Sequence, residues 1–467
     1  MSEFVVIQVG QCGNQIGSAL WPLILQEYDI NLYSEDKKKT GDTLTPKPLS
    51  SFFNTSSKSD LACGTLAELI NNKVKARAVC IDMEDSVVAR FRQGVLKDIF
   101  DKKCFITNYP GSGNNWAEGY YEYGPIYAEK ILSSIKHAVE RCDSLHGFLL
   151  LFSTGGGTGS GLGTFVLKLL ADCYPEIERF VACVYPTGTE DVVTCPYNMG
   201  FATKELLDNA TCVFPVENRS LLDIVERQAK KQSGDISSLY TPFNDMNNII
   251  VNMLLHVTSG SRFPGSLNFD MNELNTNMVP FPKLNFLSSG FNPCPYSSLK
   301  NGKKPSKQLK DELFVASCSR LNQLVKVDPL GPKSVLMATT LIGRGGFSLS
   351  DMNGYVEKIQ NKGKFAPWAF KSIKLGLCDV PPKNATLAMF SLHNTTSVVN
   401  LFDHIHGQFT KLYKKKAHVH HYTKISGFDR DFFLDCHESF RGVINAYREI
   451  ENMSPVKIPR LTPLKDL

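Results

Sequence analysis

Compact apolar runs alternate with longer amphipathic stretches through the first half of the chain. The runs are rich in β-branched and aromatic residues and predict strands that are covered on both faces; they are Phe4–Val9, Arg77–Ile81, Gly147–Phe152 and Arg179–Tyr185. Apolar residues recur at helical spacing in Ala128–Cys142, which predicts a helix. This alternation predicts an α/β fold built on a parallel sheet.

The second half contains a long apolar-periodic segment and a second set of candidate strands. Phe243–Ser259 is long and apolar enough for a helix that packs on several sides. Apolar runs at Ser334–Ile342 and Ala385–Leu392 predict a second, smaller sheet. Val398–Lys416 and Asp429–Glu451 have helical periodicity, so the end of the chain is expected to be helical.

Two polar stretches interrupt this pattern. Residues 34–62 are rich in Ser, Lys, Asp and Thr and predict a mobile surface loop, an insertion with no core of its own. Residues 293–310 combine prolines with lysines and predict an exposed basic loop. A solvated basic face or a contact with an acidic partner would both explain these lysines.

The composition is that of a soluble globular protein, with 42% apolar and 21% charged residues over 467 positions. A net charge of +5 is too small to imply nucleic acid as a partner. No apolar run reaches the roughly 18 residues that cross a bilayer, and Met1-Ser2-Glu3 does not open a secretory signal. We therefore expect a protein of the cytosol or nucleus without a membrane partner. The 13 cysteines form no Cys-x-x-Cys pair, which predicts reduced thiols and no structural zinc.

A glycine-rich loop is the sharpest chemical signal. Five glycines occur in the seven residues from Gly155 to Gly161, directly after the predicted strand that ends at Phe152. Without side chains, this backbone can approach an anion closely. The apolar helix predicted at Leu162–Leu170 would direct its N-terminal dipole at the loop, while Thr158 and Ser160 add hydroxyl groups. The combination predicts a binding site for a phosphate chain.

Other glycine-rich explanations are weaker. A P-loop would need a lysine after its last glycine, and none is present. A dinucleotide fingerprint would occur in the first strand–turn–helix unit, with an acidic residue about 20 positions later. A flexible linker would not lie between a strand and a helix. An oxidoreductase nevertheless stays an alternative, which bound NAD would reveal.

Three further fragments follow predicted strands. Gly10–Gly17 opens a helix, Gly111–Trp116 forms a glycine–amide turn, and Asp82 and Glu84 follow the second strand. The two carboxylates are candidates for a hydrated magnesium ion, although a solvated strand end would look the same. Since the carboxyl ends of parallel strands meet at one edge of a sheet, these loops are expected to converge there.

Ordered motifs over nearly the whole chain resemble those of the tubulin family. They are GQCGNQIG at 10–17, GSGNNWA at 111–117, GGGTGSG at 155–161, CPYN at 195–198, RFPGSLN at 262–268, NMVPFP at 277–282 and KKKAHVHHY at 414–422. The resemblance implies the tubulin fold. Its parts would be a GTP-binding α/β domain at 1–242, a central helix at 243–261, an intermediate α/β domain at 262–397 and a helical C-terminal region at 398–467.

The resemblance also implies roles for individual residues in binding GTP or GDP with Mg²⁺. The base and phosphate side would be lined by Gln11, Cys12 and Gln15. Asp82 and Glu84 would face the magnesium ion, through water, and the γ-phosphate. The sugar–phosphate edge would meet Asn114, and the phosphates would be held by Ser153, Gly155, Gly156, Gly157, Thr158 and Gly159. Glu190 and Asp191 would lie near the ribose, Asn218 and Asn247 would read guanine, and Phe243 would stack on the base.

Two of these positions depart from the family pattern. Phe243 replaces the usual tyrosine, and stacking is expected to survive because the ring face is retained. Cys195 replaces a glutamate that contacts the ribose hydroxyls, and a thiol is a weak acceptor. Ribose recognition is therefore the part of the resemblance in question.

The segment 268–273 resembles the loop that one tubulin subunit inserts against the nucleotide of the next. Glu273 occupies the position where alpha-tubulin has its catalytic acid and beta-tubulin has a lysine. The resemblance thus implies hydrolysis that is completed in trans, by contact between subunits, although whether the chain is an enzyme stays open.

Within the family, the chain is most similar to the epsilon-tubulin subfamily. The enlarged polar loop at 34–62, the KKKAHVHHY stretch and a tail without a glutamate-rich segment carry this likeness. It implies a role in centrioles, centrosomes and basal bodies of the cytoplasmic cytoskeleton, in organising doublet and triplet microtubules. The implied partners are delta-tubulin, alpha/beta-tubulin and centriolar proteins. A non-polymerising centriolar adaptor with GTP as a structural ligand is the alternative.

Overall fold

A computed structural model describes residues 2–33, 49–55, 63–109, 111–187, 192–232, 242–294, 306–369 and 372–453 of the chain. The strands are β1 Glu3–Val9, β2 Phe53–Asn54, β3 Lys75–Ala76, β4 Ala78–Asp82, β5 Phe105–Thr107, β6 Leu145–Ser153, β7 Glu178–Tyr185, β8 Cys212–Glu217, β9 Ser288–Asn292, β10 Val335–Gly345, β11 Lys364–Phe365, β12 Ile373–Cys378 and β13 Leu387–Thr395.

The α-helices are α1 Gly10–Glu27, α2 Leu66–Asn71, α3 Asp85–Gln93, α4 Gly124–Val139, α5 Gly163–Cys173, α6 Cys195–Asn209, α7 Asn218–Gln232, α8 Pro242–Val257, α9 Ser259–Arg262, α10 Asn272–Met278, α11 Lys307–Ser317, α12 Leu349–Lys362, α13 Val399–Lys414, α14 Val419–Thr423 and α15 Phe432–Asn452. Two π-helical turns, Glu118–Tyr123 and Thr158–Leu162, precede α4 and α5. Short 3₁₀ turns occur at Lys97–Ile99, Lys102–Cys104, Arg320–Asn322 and Thr396–Val398.

The first sheet confirms the predicted α/β fold. In the described part of the chain it has six strands in the order β5-β4-β1-β6-β7-β8, and every neighbouring pair is parallel. The four strands predicted in the first half of the chain all lie in this sheet. Their inner positions are buried on both faces, which is why they are continuous apolar runs in the sequence. The carboxyl ends of β1, β4 and β6 therefore lie side by side at one edge.

The second sheet is mixed. Its order is β11-β10-β13-β9, with β12 paired to β10, and β10 and β13 run antiparallel. The predicted central helix is α8, which packs against α1 and α7 and also against β9 and β13. The C-terminal helices α13 and α15 pack on α6. None of the helices in the described ranges is both long and apolar enough to cross a bilayer.

Part of the predicted 34–62 surface loop is core. Residues 34–48 and 56–62 lie outside the described residues, but Phe52 and Phe53 are 1% and 0% exposed. The Phe52 ring stacks on Phe4 at 5.8 Å between centroids, and Phe53 meets the edge of Trp21 at 5.7 Å. The loop prediction was wrong here because two adjacent aromatic rings bury enough area to anchor an otherwise polar stretch.

The prediction of an exposed basic loop at 293–310 was wrong at its C-terminal end. Residues 295–305 lie outside the described residues, whereas Lys307 begins α11. The Ser306 hydroxyl caps this helix by accepting the Leu309 N–H at 3.2 Å. Lys310 pairs with Asp351 at 2.7 Å and is mostly buried.

A buried charge cluster joins α1, the central helix α8, α9 and the second sheet. The Glu27 carboxylate, at the end of α1, forms ion pairs with Arg262 at 2.7 Å and with Arg344 at 2.9 Å. All three side chains are at most 1% exposed. The guanidinium groups also donate to the Leu255 carbonyl at 2.7 and 3.4 Å. One carboxylate thus holds together α1, α9 and β10, and it does so at the end of the helix whose start forms the site described next.

Candidate functional site

A cavity of about 1060 Å³ opens at the carboxyl edge of the first sheet, between α1 and α8. The predicted site residues that line it are Gln11, Cys12, Gln15, Asp82, Glu84, Asn114, Ser153, Gly155, Gly156, Gly157, Thr158, Gly159, Asn218, Phe243 and Asn247. The predicted Glu190 and Asp191 lie outside the described residues. Residues far apart in the chain are therefore collected at one place, as the convergence of strand ends led us to expect.

Sequence patterns missed other lining residues. They are Ser18, Ala19, Arg90, Val184, Pro186, Val192, Asn244, Met246 and Asn248, whereas Ser112 and Gly113 belong to the predicted glycine–amide turn Gly111–Trp116. Most of these residues lie outside any recognisable sequence motif. A helical projection would have found Ser18 and Ala19, because they lie on the α1 face that carries Gln11 and Gln15.

The glycine loop is held by the turns on either side of it. The Asn198 side chain donates to the carbonyls of Gly155 at 2.9 Å and Asn114 at 2.8 Å. The hydroxyls of Ser112 and Thr158 lie 2.8 Å apart. Hydrogen bonds to a carbonyl and a hydroxyl thus hold the loop in place. Backbone N–H groups at the start of a helix are the groups that bind phosphate.

Gly10 shows why α1 begins with glycine. Its φ is +71°, a left-handed conformation, and a Cβ there would lie 2.9 Å from the Gly159 nitrogen. Any other residue would be strained and would also push the phosphate loop away from β1. The first strand–helix turn and the glycine loop are thus built to touch.

Substitution by alanine is expected to have different effects at two adjacent glycines of the loop, Gly156 and Gly157. A Cβ on Gly157 would lie 2.6 Å from the Asn115 nitrogen, whereas a Cβ on Gly156 would meet only the Asn114 side chain at 3.9 Å. We expect Gly157→Ala to lower the melting temperature, because backbone must move. Gly156→Ala should keep the melting temperature and reduce binding of a phosphate ligand. Differential scanning fluorimetry with and without GTP checks both, and equal behaviour of the two variants would contradict the loop geometry.

Asp82 has the properties of a cation-binding carboxylate. It is 2% exposed, and its Oδ2 atom has no hydrogen-bond partner among the described residues. Burial raises the pKa of this carboxyl from 3.8 to about 7, although the N–H groups of Glu84 and Met83 act against the shift. Glu84 is exposed on the cavity wall beside it. One buried and one exposed carboxylate fit a magnesium ion that keeps several of its waters.

The raised pKa of Asp82 predicts a pH-dependent stability. Because the pKa of Asp82 is higher in the folded than in the unfolded state, the folded protein binds this proton more tightly. The free energy of unfolding is therefore highest at low pH and falls as the pH rises through about 7. The ligand-free protein should therefore melt at a lower temperature at pH 8 than at pH 6, and Asp82→Asn should reduce this difference. Added Mg²⁺ with GTP should protect the wild type more at pH 8, where the carboxylate is ionised. Thermal melts at three pH values measure this, and identical pH profiles for the two proteins would contradict it.

The α8 wall presents an aromatic ring and amides. Phe243 is 68% exposed, unusual for a large apolar side chain, and it faces the cavity. The side-chain amides of Asn218 and Asn247 have no hydrogen bond to another side chain or backbone group among the described residues. An open ring face beside unpaired amides can stack on and hydrogen-bond a planar heterocycle.

Cysteines line two other parts of the wall. A Cβ on Gly155 would lie 3.2 Å from the Cys195 sulfur, so Cys195 is immediately behind the glycine loop. Burial raises the pKa of the Cys12 thiol to about 12, so it lines the cavity as a neutral group. The Cys12 thiol is therefore not a nucleophile at neutral pH.

Glu273 lies apart from this cavity. It is the second residue of α10, and its carboxylate pairs with the Lys374 ammonium of β12. The Glu273 side chain is 41% exposed and is not among the residues that line the cavity. The side chain is therefore partly exposed at the surface outside the cavity, although its Oε2 atom is covered.

Comparisons with known proteins agree with this geometry. A family model described as "Tubulin/FtsZ family, GTPase domain" matches residues 3–226, and one described as "Tubulin C-terminal domain" matches residues 282–407. The chain is 40% identical to the tubulin epsilon chain of Mus musculus, over 98% of each chain, and 39% identical to that of Homo sapiens, over 99% of each. It is 31% identical to the tubulin beta-1 chain of Homo sapiens, over 98% of this chain and 96% of that one.

The first match covers the whole cavity-bearing sheet and α1 to the middle of α7. A domain of this description implies that GTP or GDP is the ligand class. The relatives span nearly their full lengths in the alignment, so the second sheet and the C-terminal helices are included. The chain therefore belongs to the tubulin family.

Proposed function

We propose that this chain is an epsilon-tubulin-like cytoskeletal subunit that holds GTP or GDP with Mg²⁺ in the cavity at the sheet edge. The observation that carries the proposal is the convergence of the predicted nucleotide contacts on that one cavity. The division into a nucleotide domain at 1–242, a central helix at 243–261, an intermediate domain at 262–397 and a C-terminal region at 398–467 is part of the proposal.

Within the cavity, the loop and α8 would hold opposite ends of the nucleotide. Backbone N–H groups of Gly155–Gly159 and the helix that follows would bind the phosphates. Asn218 and Asn247 would hydrogen-bond guanine while Phe243 stacks on it. Asp82 and Glu84 would hold magnesium through water, and that ion would neutralise charge on the terminal phosphates.

Hydrolysis would need a second molecule. The partly exposed Glu273 carboxylate would enter a neighbouring subunit's cavity and orient a water for attack on the γ-phosphorus. The new P–O bond would form as the bond to the β-phosphate oxygen breaks, with the water proton passing to Glu273 and GDP left in the cavity. The Lys374 ammonium, which pairs with this carboxylate, would also lie in the interface between the two subunits.

The similarity to epsilon chains supports a place for this function in centrioles, centrosomes and basal bodies. There the protein would support doublet and triplet microtubules, with delta-tubulin, alpha/beta-tubulin and centriolar proteins as partners. The cytoplasmic cytoskeleton would be its compartment.

A second candidate is a non-polymerising centriolar adaptor that retains GTP as a structural ligand. Cys195 favours it, because a buried thiol behind the phosphate loop replaces an acidic ribose contact. Slow exchange and no turnover would then suffice for function.

The discriminating experiment begins with the nucleotide that the purified protein retains. Denaturation should release guanine nucleotide, which ion-exchange chromatography identifies. Release of only adenine nucleotide or NAD would contradict both candidate functions. GTP hydrolysis is then measured across protein concentrations, alone and with alpha/beta-tubulin. A specific rate that climbs with concentration supports the assembling GTPase, whereas a flat rate with retained GTP supports the adaptor.

A further inference from the structure

Arg90 is the one basic side chain among the described residues that line the nucleotide cavity. It lies on α3, the helix that follows Asp82 and Glu84. The other charged side chains among the described lining residues are these two carboxylates. A triphosphate would therefore meet a wall of net negative charge, offset by magnesium and by this guanidinium.

Within the part of the chain that the structure describes, the Arg90 guanidinium has no protein partner. No ion pair or hydrogen bond connects it to another described residue, and the side chain is exposed at the cavity rim. Its neighbour Arg92 is fully engaged: it donates to Asp85 at 2.9 Å and Thr107 at 3.1 Å, and it lies over the Phe105 ring at 5.4 Å. The same helix thus carries one arginine that is bound by other residues of the protein and one that lines the cavity.

The helix α3 that carries Arg90 begins at the edge of the sheet where the phosphate loop lies. Both α1 and α3 follow parallel strands, so both begin at the carboxyl edge of the sheet. Arg90 is six residues beyond Glu84, or about 9 Å along the helix axis. Helical side chains lean towards the N-terminus of their helix, so the Arg90 side chain extends back towards Glu84 and Asp82.

We propose that Arg90 binds the terminal phosphate of GTP and so makes the site prefer GTP over GDP. The inference rests on the proposed function, since it assumes that the cavity holds a guanine nucleotide. Guanidinium groups suit this role because their N–H donors match phosphate oxygens in pairs. An alternative is that Arg90 is a solvated surface cation, which is the usual state of an exposed arginine.

The test is equilibrium binding of GTP and of GDP, in Mg²⁺, to the full chain freed of nucleotide. Arg90→Gln should weaken GTP binding about tenfold or more, the effect of one charged hydrogen-bonding contact, and GDP binding by less than about threefold. Arg90→Lys should lie between the wild type and Arg90→Gln for GTP. Arg92→Gln is the matched control and should leave the ratio of GTP to GDP affinity unchanged.

Each contrary outcome has a separate meaning. Arg90→Gln that binds GTP as tightly as the wild type would overturn the inference and leave the nucleotide function standing. An equal loss for GTP and GDP would also overturn it, because the contact would then be with phosphates common to both. A wild-type chain that binds neither nucleotide would overturn the proposed function, and the inference with it. Thermal melts of all variants separate these effects from misfolding.

Discussion

Replacing Glu273 with alanine is expected to lower GTP hydrolysis in the assembled state by roughly 10²–10⁴-fold, the range for loss of a general base. Binding of GTP should be unchanged, because Glu273 is not a lining residue of its own cavity. The separation of the carboxylate from its own site is what makes the prediction specific. Single-turnover hydrolysis at protein concentrations that promote assembly, compared with nucleotide retention by filter binding, measures both quantities.

Two further variants sharpen this experiment. Glu312→Ala removes an exposed carboxylate of α11 and should leave the rate unchanged. Mixing Glu273→Ala protein with a variant that binds phosphate poorly but keeps Glu273, such as Gly156→Ala, should partly restore hydrolysis, because the second protein supplies its acid to the occupied cavity of the first. If Glu273→Ala hydrolysed GTP at the wild-type rate, in-trans catalysis by this residue would be excluded.

Replacing Glu27 with alanine is expected to lower the free energy of unfolding by about 3–5 kcal/mol, the cost of leaving a buried charge without its partner. Two guanidinium groups, those of Arg262 and Arg344, would lose their shared carboxylate in a site closed to water. Backbone carbonyls would still accept from both, but carbonyls carry no charge. Chemical denaturation followed by circular dichroism gives the difference.

Asp311→Ala provides the matched control for Glu27→Ala. Asp311 pairs with Lys358 at 2.9 Å, the same distance range, but both side chains are partly exposed. Its removal is expected to cost less than about 1 kcal/mol, because solvent screens the pair. Similar losses for the two variants would mean that water reaches the Glu27 cluster. Because α1 carries both Glu27 and the cavity residues Gln11 and Gln15, Glu27→Ala should also weaken nucleotide binding.

The strands of the first sheet and the phosphate loop were predictable from sequence alone. Parallel strands covered on both faces must be apolar along their whole length, so Phe4–Val9 and Gly147–Phe152 are recognisable as continuous runs. The glycine loop is also a local feature, because a backbone that approaches phosphate has to omit side chains over consecutive positions. Convergence of Asp82, the loop and Asn114 followed from the geometry of parallel sheets, and the cavity bears it out.

The residue composition of a segment gave a wrong prediction where a few of its side chains are buried or paired. The stretch 34–62 is polar overall, yet the rings of Phe52 and Phe53 are packed against Phe4 and Trp21. At 293–310 the lysines suggested an exposed loop, although Ser306 starts a helix and Lys310 finds a carboxylate on α12. A count of residue types over a window carries no information on which of them meet a partner.

Charge pairing is the property that the tertiary structure alone decided. Nothing local distinguishes Arg90, open to the cavity, from Arg92, which is fully bound two positions later. Likewise, no pattern in the sequence joins Glu273 to Lys374, or Glu27 to its two arginines. Periodicity encodes which face of an element is buried, because burial repeats along the chain with the geometry of the helix or strand. The partner that a charged side chain meets depends on how distant elements pack, and that is determined only when the whole fold forms.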